Sequence, residues 1–89
     1  MSTIKAVVSN AGYQWIWVGN VEIDGGWIHI RRAVNVRRYT GGFGSVHKDP
    51  SKCTLDAAFG GVTLAIGAAI QLHDVDQEAW LAVLDRYHP

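Results

Sequence analysis

"YQWIWVGNVEIDGGWIHIRRAVNVRRY" (residues 13–39) is the stretch on which the fold turns. At its centre, Asp24-Gly25-Gly26 is a hairpin signal, because Asp-Gly accepts the positive φ angles of a tight primed turn. Before the turn, residues 13–23 read as a strand with Tyr13, Trp15, Trp17, Val21 and Ile23 on one side. After it, "WIHIRRAVNVRRY" (27–39) alternates over thirteen residues, more than twice the common strand length of about five or six. That length predicts two strands, or one strand with a sharp bend or bulge near Arg32-Ala33.

Working outward from the hairpin, "TIKAVVS" (3–9) alternates as a short strand, and "NAG" (10–12) is a turn signal. On the other side, residues 40–54 read as loop with one helical turn around Phe43–Lys48, and a β-rich segment returns over Gly61–Leu72. Asp74 and Gln77 can form a capping box ahead of a helix over roughly 75–87. The apolar stripe of that helix is Trp80, Val83, Leu84 and Tyr87, at i, i+3, i+4, i+7 spacing. Short consecutive strands followed by one helix predict a mainly β (α+β) single domain over 1–89. The architecture expected is a small curled antiparallel sheet or open barrel with one C-terminal helix.

Composition narrows the function classes. The chain has 89 residues, 48% hydrophobic and only 18% charged, with four tryptophans. So much apolar surface is hard to bury in one small domain, which predicts a homo-oligomer. Its single cysteine, Cys53, excludes an intramolecular disulfide framework and multi-cysteine zinc sites. "MSTIKAVVSN" lacks the apolar core of a signal peptide, and the uncharged run "AAFGGVTLAIGAAI" (57–70) is too short for a bilayer. The expectation is therefore a cytoplasmic protein with no membrane partner.

Net charge is zero, which argues against bulk nucleic-acid binding. The zero hides a split: residues 1–26 carry −1, residues 27–52 carry +5 and residues 53–89 carry −4. A local basic patch is the consequence, and it centres on "VNVRRYTGGFGS" (34–45). There Gly41, Gly42 and Gly44, with the Thr40 and Ser45 hydroxyls, can turn backbone N–H groups toward an anion. Arg37 and Arg38 lie just upstream, and guanidinium forks match phosphate oxygens in pairs. The named phosphate motifs are missing: there is no G-x-x-x-x-G-K-[ST], and the G-x-G-x-x-G begun at Gly42 fails at His47. A plain exposed loop therefore stands beside the anion site as a reading. If alternation held unbroken through 27–39, one face would carry Trp27, His29, Arg31, Asn35, Arg37 and Tyr39, a mixture suited to nucleotides or single strands.

Other constellations carry less. His47 with Asp49, and His73 with Asp74 and Asp76, have metal-compatible types without a ligand spacing. Cys53 has no flanking signature of a nucleophile, and no carboxylate pair offers acid–base chemistry. No catalytic residue, metal or cofactor is assigned, and the chain is read as a non-enzyme. The candidate ligand-binding residues are Arg31, Arg37, Arg38, Tyr39, Thr40, Gly41, Gly42, Gly44 and Ser45.

The string "WVGNVEIDGGWIHIRRAVNVRRYTGGFGSV" (17–46), then Pro50, Leu55 and Asp56, then "AIQLHDV" (69–75), resembles a group of small phage and prophage proteins. Their signature is an Arg-Arg-aromatic-Thr-Gly-Gly-x-Gly segment. The resemblance covers about residues 4–76 and leaves the C-terminal helix mostly outside. Tyr39 and Phe43 stand where the group has tryptophan and leucine. The group has no assigned activity, so the resemblance implies a phage setting, in the host cytoplasm during infection, and transfers no catalytic residue. The function expected is counter-defence by capture of a phosphate-bearing ligand such as a nucleotide signal. The alternatives are a protein-directed inhibitor of a host defence complex, and an assembly component that forms homo-oligomers.

Overall fold

The computed structural model describes residues 3–10 and 14–89. Ala11 and Gly12 of the expected turn, and Tyr13, lie outside the described residues. The chain runs β1 (Thr3–Asn10), β2 (Gln14–Asp24), β3 (Trp27–Tyr39), α1 (Gly44–Lys48), a 3-10 turn (Pro50–Lys52) and β4 (Cys53–Ala58). It continues through β5 (Val62–Ala65), a second 3-10 turn (Ile66–Ala68) and β6 (Ala69–Asp74) to α2 (Gln77–Tyr87). The six strands form one open antiparallel sheet in the order β4-β3-β2-β1-β6, with β5 also pairing to β3. Strands dominate, and α2 is the C-terminal helix.

The long alternation in β3 resolves as one strand with a bulge. Val18 pairs with Val34 and Asn20 with Arg31, so Gly19 alone opposes Arg32 and Ala33. Arg32 takes φ +51°, the left-handed conformation that such bulges normally give to glycine. Its side chain holds the position: Nε donates to Asn20 Oδ1 at 2.9 Å and Nη1 to Asp85 Oδ1 at 2.6 Å. The outer neighbour of β3 breaks at the same height, with Ile30 paired to Val62 of β5 and Ala33 to Ala58 of β4. Gly61, at φ +73°, turns the chain between them.

This kink curls the sheet and divides the core in two. On one face, Ile4, Ala6, Val18, Val34, Val36 and Val75 pack against Val46 of α1 and Trp80, Val83 and Leu84 of α2. On the other, Val7, Val21, Ile28, Ile30 and Ala33 form a second cluster with Trp17. Val7 pairs with Trp17, and Ile28 with Ile23 near the hairpin tip, so only a bent hairpin brings Val7 and Ile28 into one cluster. The return path agrees. Ile66 N–H donates to Gly26 O at the hairpin tip, and three residues later Ala69 pairs with Ser9 at the far end of β1.

Helix α2 follows its predicted stripe, with Trp80, Val83 and Leu84 buried and Tyr87 half-buried. Its cap differs from the prediction. Asp76 is the N-cap, accepting from Ala79 N–H at 3.0 Å, while Asp74 forms an ion pair with Lys5 at 2.5 Å. Gln77 bonds outside the helix: Oε1 accepts from Ile4 N–H, and Nε2 donates to Ile4 O and Val75 O. The side chains of the supposed box thus tie the helix start to β1, where a buried edge of backbone needs partners more than the helix does. A second departure is β4, a strand in a region read as loop through residue 54; it forms because β3 offers it a ladder from Ala33 to Tyr39. No helix of the described residues is long and apolar enough to cross a membrane.

Candidate ligand-binding face

The bulge at Arg32 breaks the single face expected over 27–39. Trp27, His29 and Arg31 lie before it, and Asn35 falls on the opposite face after it. Arg31 stands beside Glu22 at 3.5 Å, next to a shallow groove lined by Asp24, His29, Gly61 and Thr63. That groove belongs to the distal half of the hairpin and is separate from the 40–45 loop.

A second irregularity acts on Arg37 and Arg38. Val36 pairs with Leu55 and Arg38 with Thr54, so Arg37 is an extra residue in β3. In a regular strand two adjacent arginines point to opposite faces. Here both join the face of Thr54 and Asp56: Arg38 through its pairing with Thr54, and Arg37 through a 2.9 Å bond from Nη1 to Asp56 Oδ2. Arg38 makes no ion pair among the described residues.

The same face carries two indoles. Asn35 pairs with Asp56 on one side and Trp17 on the other. Trp15, two residues along β2, stacks on Trp17 with centroids 5.8 Å apart and planes 11° from parallel. Trp15 is 40% exposed. Asn35 Nδ2 donates to Ile16 O, which fixes the strand between the arginines and the indoles. The result is an open platform with a stacked indole pair on β2 and two guanidinium groups on β3. Sequence reading placed Trp15 and Trp17 on one strand face; the W-x-W spacing was the available signal, and its position beside the arginines required the bulges.

Tyr39 and the 40–45 loop go elsewhere. Tyr39 pairs with Cys53, on the helix-covered face, and packs edge-on against Phe43. Phe43 in turn meets His47 and His73 at 5.0 and 4.9 Å, and the two imidazoles lie 5.0 Å apart. This aromatic cluster fastens the loop and α1 to β6. His47 Nε2 is buried without a hydrogen-bond partner among the described residues, and His73 Nε2 bonds Gln71 Oε1 at 2.7 Å. Within the loop, Gly41 and Gly42 take φ +80° and +83°. Thr40 N–H donates to Lys52 O, and Ser45 N–H donates to Gly42 O. The Gly44 backbone opens α1. The expected site residues therefore fall into three places: Arg31, the Arg37–Arg38 pair, and the loop with Tyr39.

Among the described residues no three His, Cys, Asp or Glu side chains converge as a metal site would require. Cys53 lies half-buried beside Leu55, Val83 and Tyr87, and burial followed by the nearby Asp49 charge pushes its thiol pKa up. A raised pKa means less thiolate, so Cys53 is expected to react with a disulfide reagent several-fold more slowly than free cysteine at pH 8. Reaction at or above the free-cysteine rate in a stopped-flow assay would contradict that placement.

Compared with known proteins, the chain matches no family model, no curated protein and no solved structure.

Proposed function

We propose that this chain is a non-catalytic binding protein that captures a nucleotide-type ligand on the Trp15–Trp17 and Arg37–Arg38 face. The observation that carries this reading is a stacked, partly exposed indole pair on the same sheet face as two adjacent arginines. A purine or pyrimidine ring stacks on indole whatever its sequence identity, and guanidinium forks pair with phosphate oxygens. Arg37 is pre-aimed by Asp56, while Arg38 is left for the ligand. A phage counter-defence role in the infected host's cytoplasm, by stoichiometric sequestration of a nucleotide signal, is the setting that the resemblance to small phage proteins adds.

Thermal shift with mono-, di- and cyclic nucleotides, followed by calorimetry, tests the reading. Arg38→Ala is expected to weaken binding by about 1.5–3 kcal/mol, the worth of a charge-assisted hydrogen bond. Trp15→Ala is expected to cost about 1–3 kcal/mol, the range for a base stacked on an aromatic ring. Lysine at 38 restores only part of the loss, since it keeps the charge without the planar fork. A panel in which no nucleotide raises the melting temperature, or in which both variants bind like the parent, removes the proposal. A second reading, binding to a host defence protein, is favoured by Phe59, which is 81% exposed at the break between β4 and β5. It predicts that Phe59→Ser abolishes function while nucleotide binding is absent.

A further inference from the structure

The open sheet has two edges, and they differ in kind. At one edge, β4 and β5 are six and four residues long and are interrupted at Phe59–Gly61. β4 also carries Asp56, bridged to Arg37. A break and charge within the strand are among the devices by which natural sheets keep an edge from pairing. At the other edge, β6 is a six-residue strand whose residues 69–73 contain no Asp, Glu, Lys, Arg or proline. Its register shift opposite Val8 and Ser9 is an extra residue of β6 itself, Ile70, so the regular stretch of this edge is Gln71–Asp74, with Leu72 inside it. Among the described residues its outer backbone pairs with no strand.

We infer that the β6 edge is a self-pairing surface, on which two copies of this chain join β6 to β6 antiparallel across a two-fold axis, with Leu72 meeting its counterpart. Leu72 is 42% exposed and ends the cross-strand row Asp56–Asn35–Trp17–Val7–Leu72, whose last three members are apolar. A two-fold normal to the sheet keeps faces matched, so the row continues through the second copy's Leu72 to its Val7 and Trp17. With Leu72 opposite its counterpart, Gln71 faces His73 and no like charges are apposed. Asp74 stands at each end of the joint, already paired with Lys5.

The alternative occupant of this edge is the other edge of the next copy. β4 and β6 point the same way, since four antiparallel pairings separate them. A copy continuing the sheet by its β4 edge, helices on the same side, must therefore pair in parallel and set the Thr54–Asp56 face against Leu72. A carboxylate beside an exposed leucine is a poor match, and the contact would not close. The two-fold joint pairs the regular stretch of β6 around Leu72 in both copies and closes as a dimer. It is independent of the nucleotide reading, and it sets both Trp15–Trp17 pairs on one continuous sheet face.

Sedimentation equilibrium of the full chain from 1 to 100 µM tests this, with an expected mass about twice 9.7 kDa. Leu72→Lys is expected to weaken association at least tenfold, whereas Thr54→Lys on the opposite edge leaves the dimer intact. As a second measurement, Leu72→Cys in a Cys53→Ser background is expected to form a covalent dimer with a short bis-maleimide, and Thr54→Cys in that background is not. This decides the matter if Leu72→Lys fails to fold by circular dichroism. A parent mass of 9.7 kDa throughout, assemblies larger than a dimer, an unaltered Leu72→Lys dimer, or cross-linking at position 54 in place of 72 each overturns the proposal.

Discussion

Replacing Trp80 with alanine is expected to remove about 3–5 kcal/mol of stability, the range for truncating a large buried aromatic. Trp80 is fully buried between α2 and the sheet, among Ile4, Val46, Val83 and Leu84. Its indole Nε1–H donates to Val46 O at 2.7 Å, so the ring binds α2 to α1 as well as filling the core. Truncation opens a cavity and also strands the Val46 carbonyl in an apolar setting. A domain of this size has only about 5–15 kcal/mol to lose, so the variant should unfold at far lower urea. Trp80→Phe separates the two contributions: it keeps most of the volume and loses the N–H, for about 1–3 kcal/mol. An unchanged urea midpoint in Trp80→Ala, with the m-value preserved, would show that the helix is held by something other than this ring.

That helix was legible because its signal is local. Trp80, Val83, Leu84 and Tyr87 fall on one side of any α-helix, whatever it packs against. The hairpin at Asp24–Gly26 and the irregularity near Arg32 were legible for the same reason, one from turn chemistry and the other from a strand too long to run straight. What escaped was decided by distant partners. Cys53, Leu55 and Ala57 alternate with Thr54 and Asp56, but six residues after a Pro-Ser-Lys turn become a strand only because β3 lies alongside. Asp74 and Asp76 are equally good caps by sequence; Lys5, sixty-nine residues away from Asp74, takes one and leaves the other.

The candidate site was readable in its parts and unreadable in its assembly. Arg37, Arg38, Trp15 and Trp17 all stand out in the sequence as cations and indoles on strands. Which of them share a face depends on counting in twos along β3, and each extra residue reverses the count. The bulge at Arg32 transfers Asn35 away from Arg31's face, and the extra Arg37 brings two consecutive arginines together. The glycine loop, read as the partner of those arginines, is drawn to the helix-covered face by Phe43 packing on His47 and His73.

Because the bend governs both the second core and the binding face, Gly19 is the residue whose replacement should do most damage to the sheet. A Cβ built there would stand 2.7 Å from Arg31 O, 2.7 Å from Ile30 Cγ2 and 3.1 Å from Ala33 Cα. Ile30 is itself buried, at 1% exposure, so its methyl has no open space to retreat into. The Arg31 carbonyl and Ala33 Cα are the backbone of the bulge, and moving them means undoing the kink. Gly19→Ala is therefore expected to cost about 1–3 kcal/mol and Gly19→Val about 3 kcal/mol or more, as overpacking against fixed neighbours does. Gly44→Ala and Gly67→Ala are the controls: neither has a neighbour within 4 Å of the added Cβ or a positive φ. Both should stay within about 0.5 kcal/mol of the parent, as surface substitutions usually do. If the sheet flattened to admit the side chain, Val7 and Ile28 would separate and the Trp15–Trp17 face would lose its supporting cluster. Nucleotide affinity should then fall in Gly19→Ala without any contact to the ligand being removed. Urea denaturation showing Gly19→Ala as stable as Gly44→Ala would mean that the kink does not depend on the missing side chain.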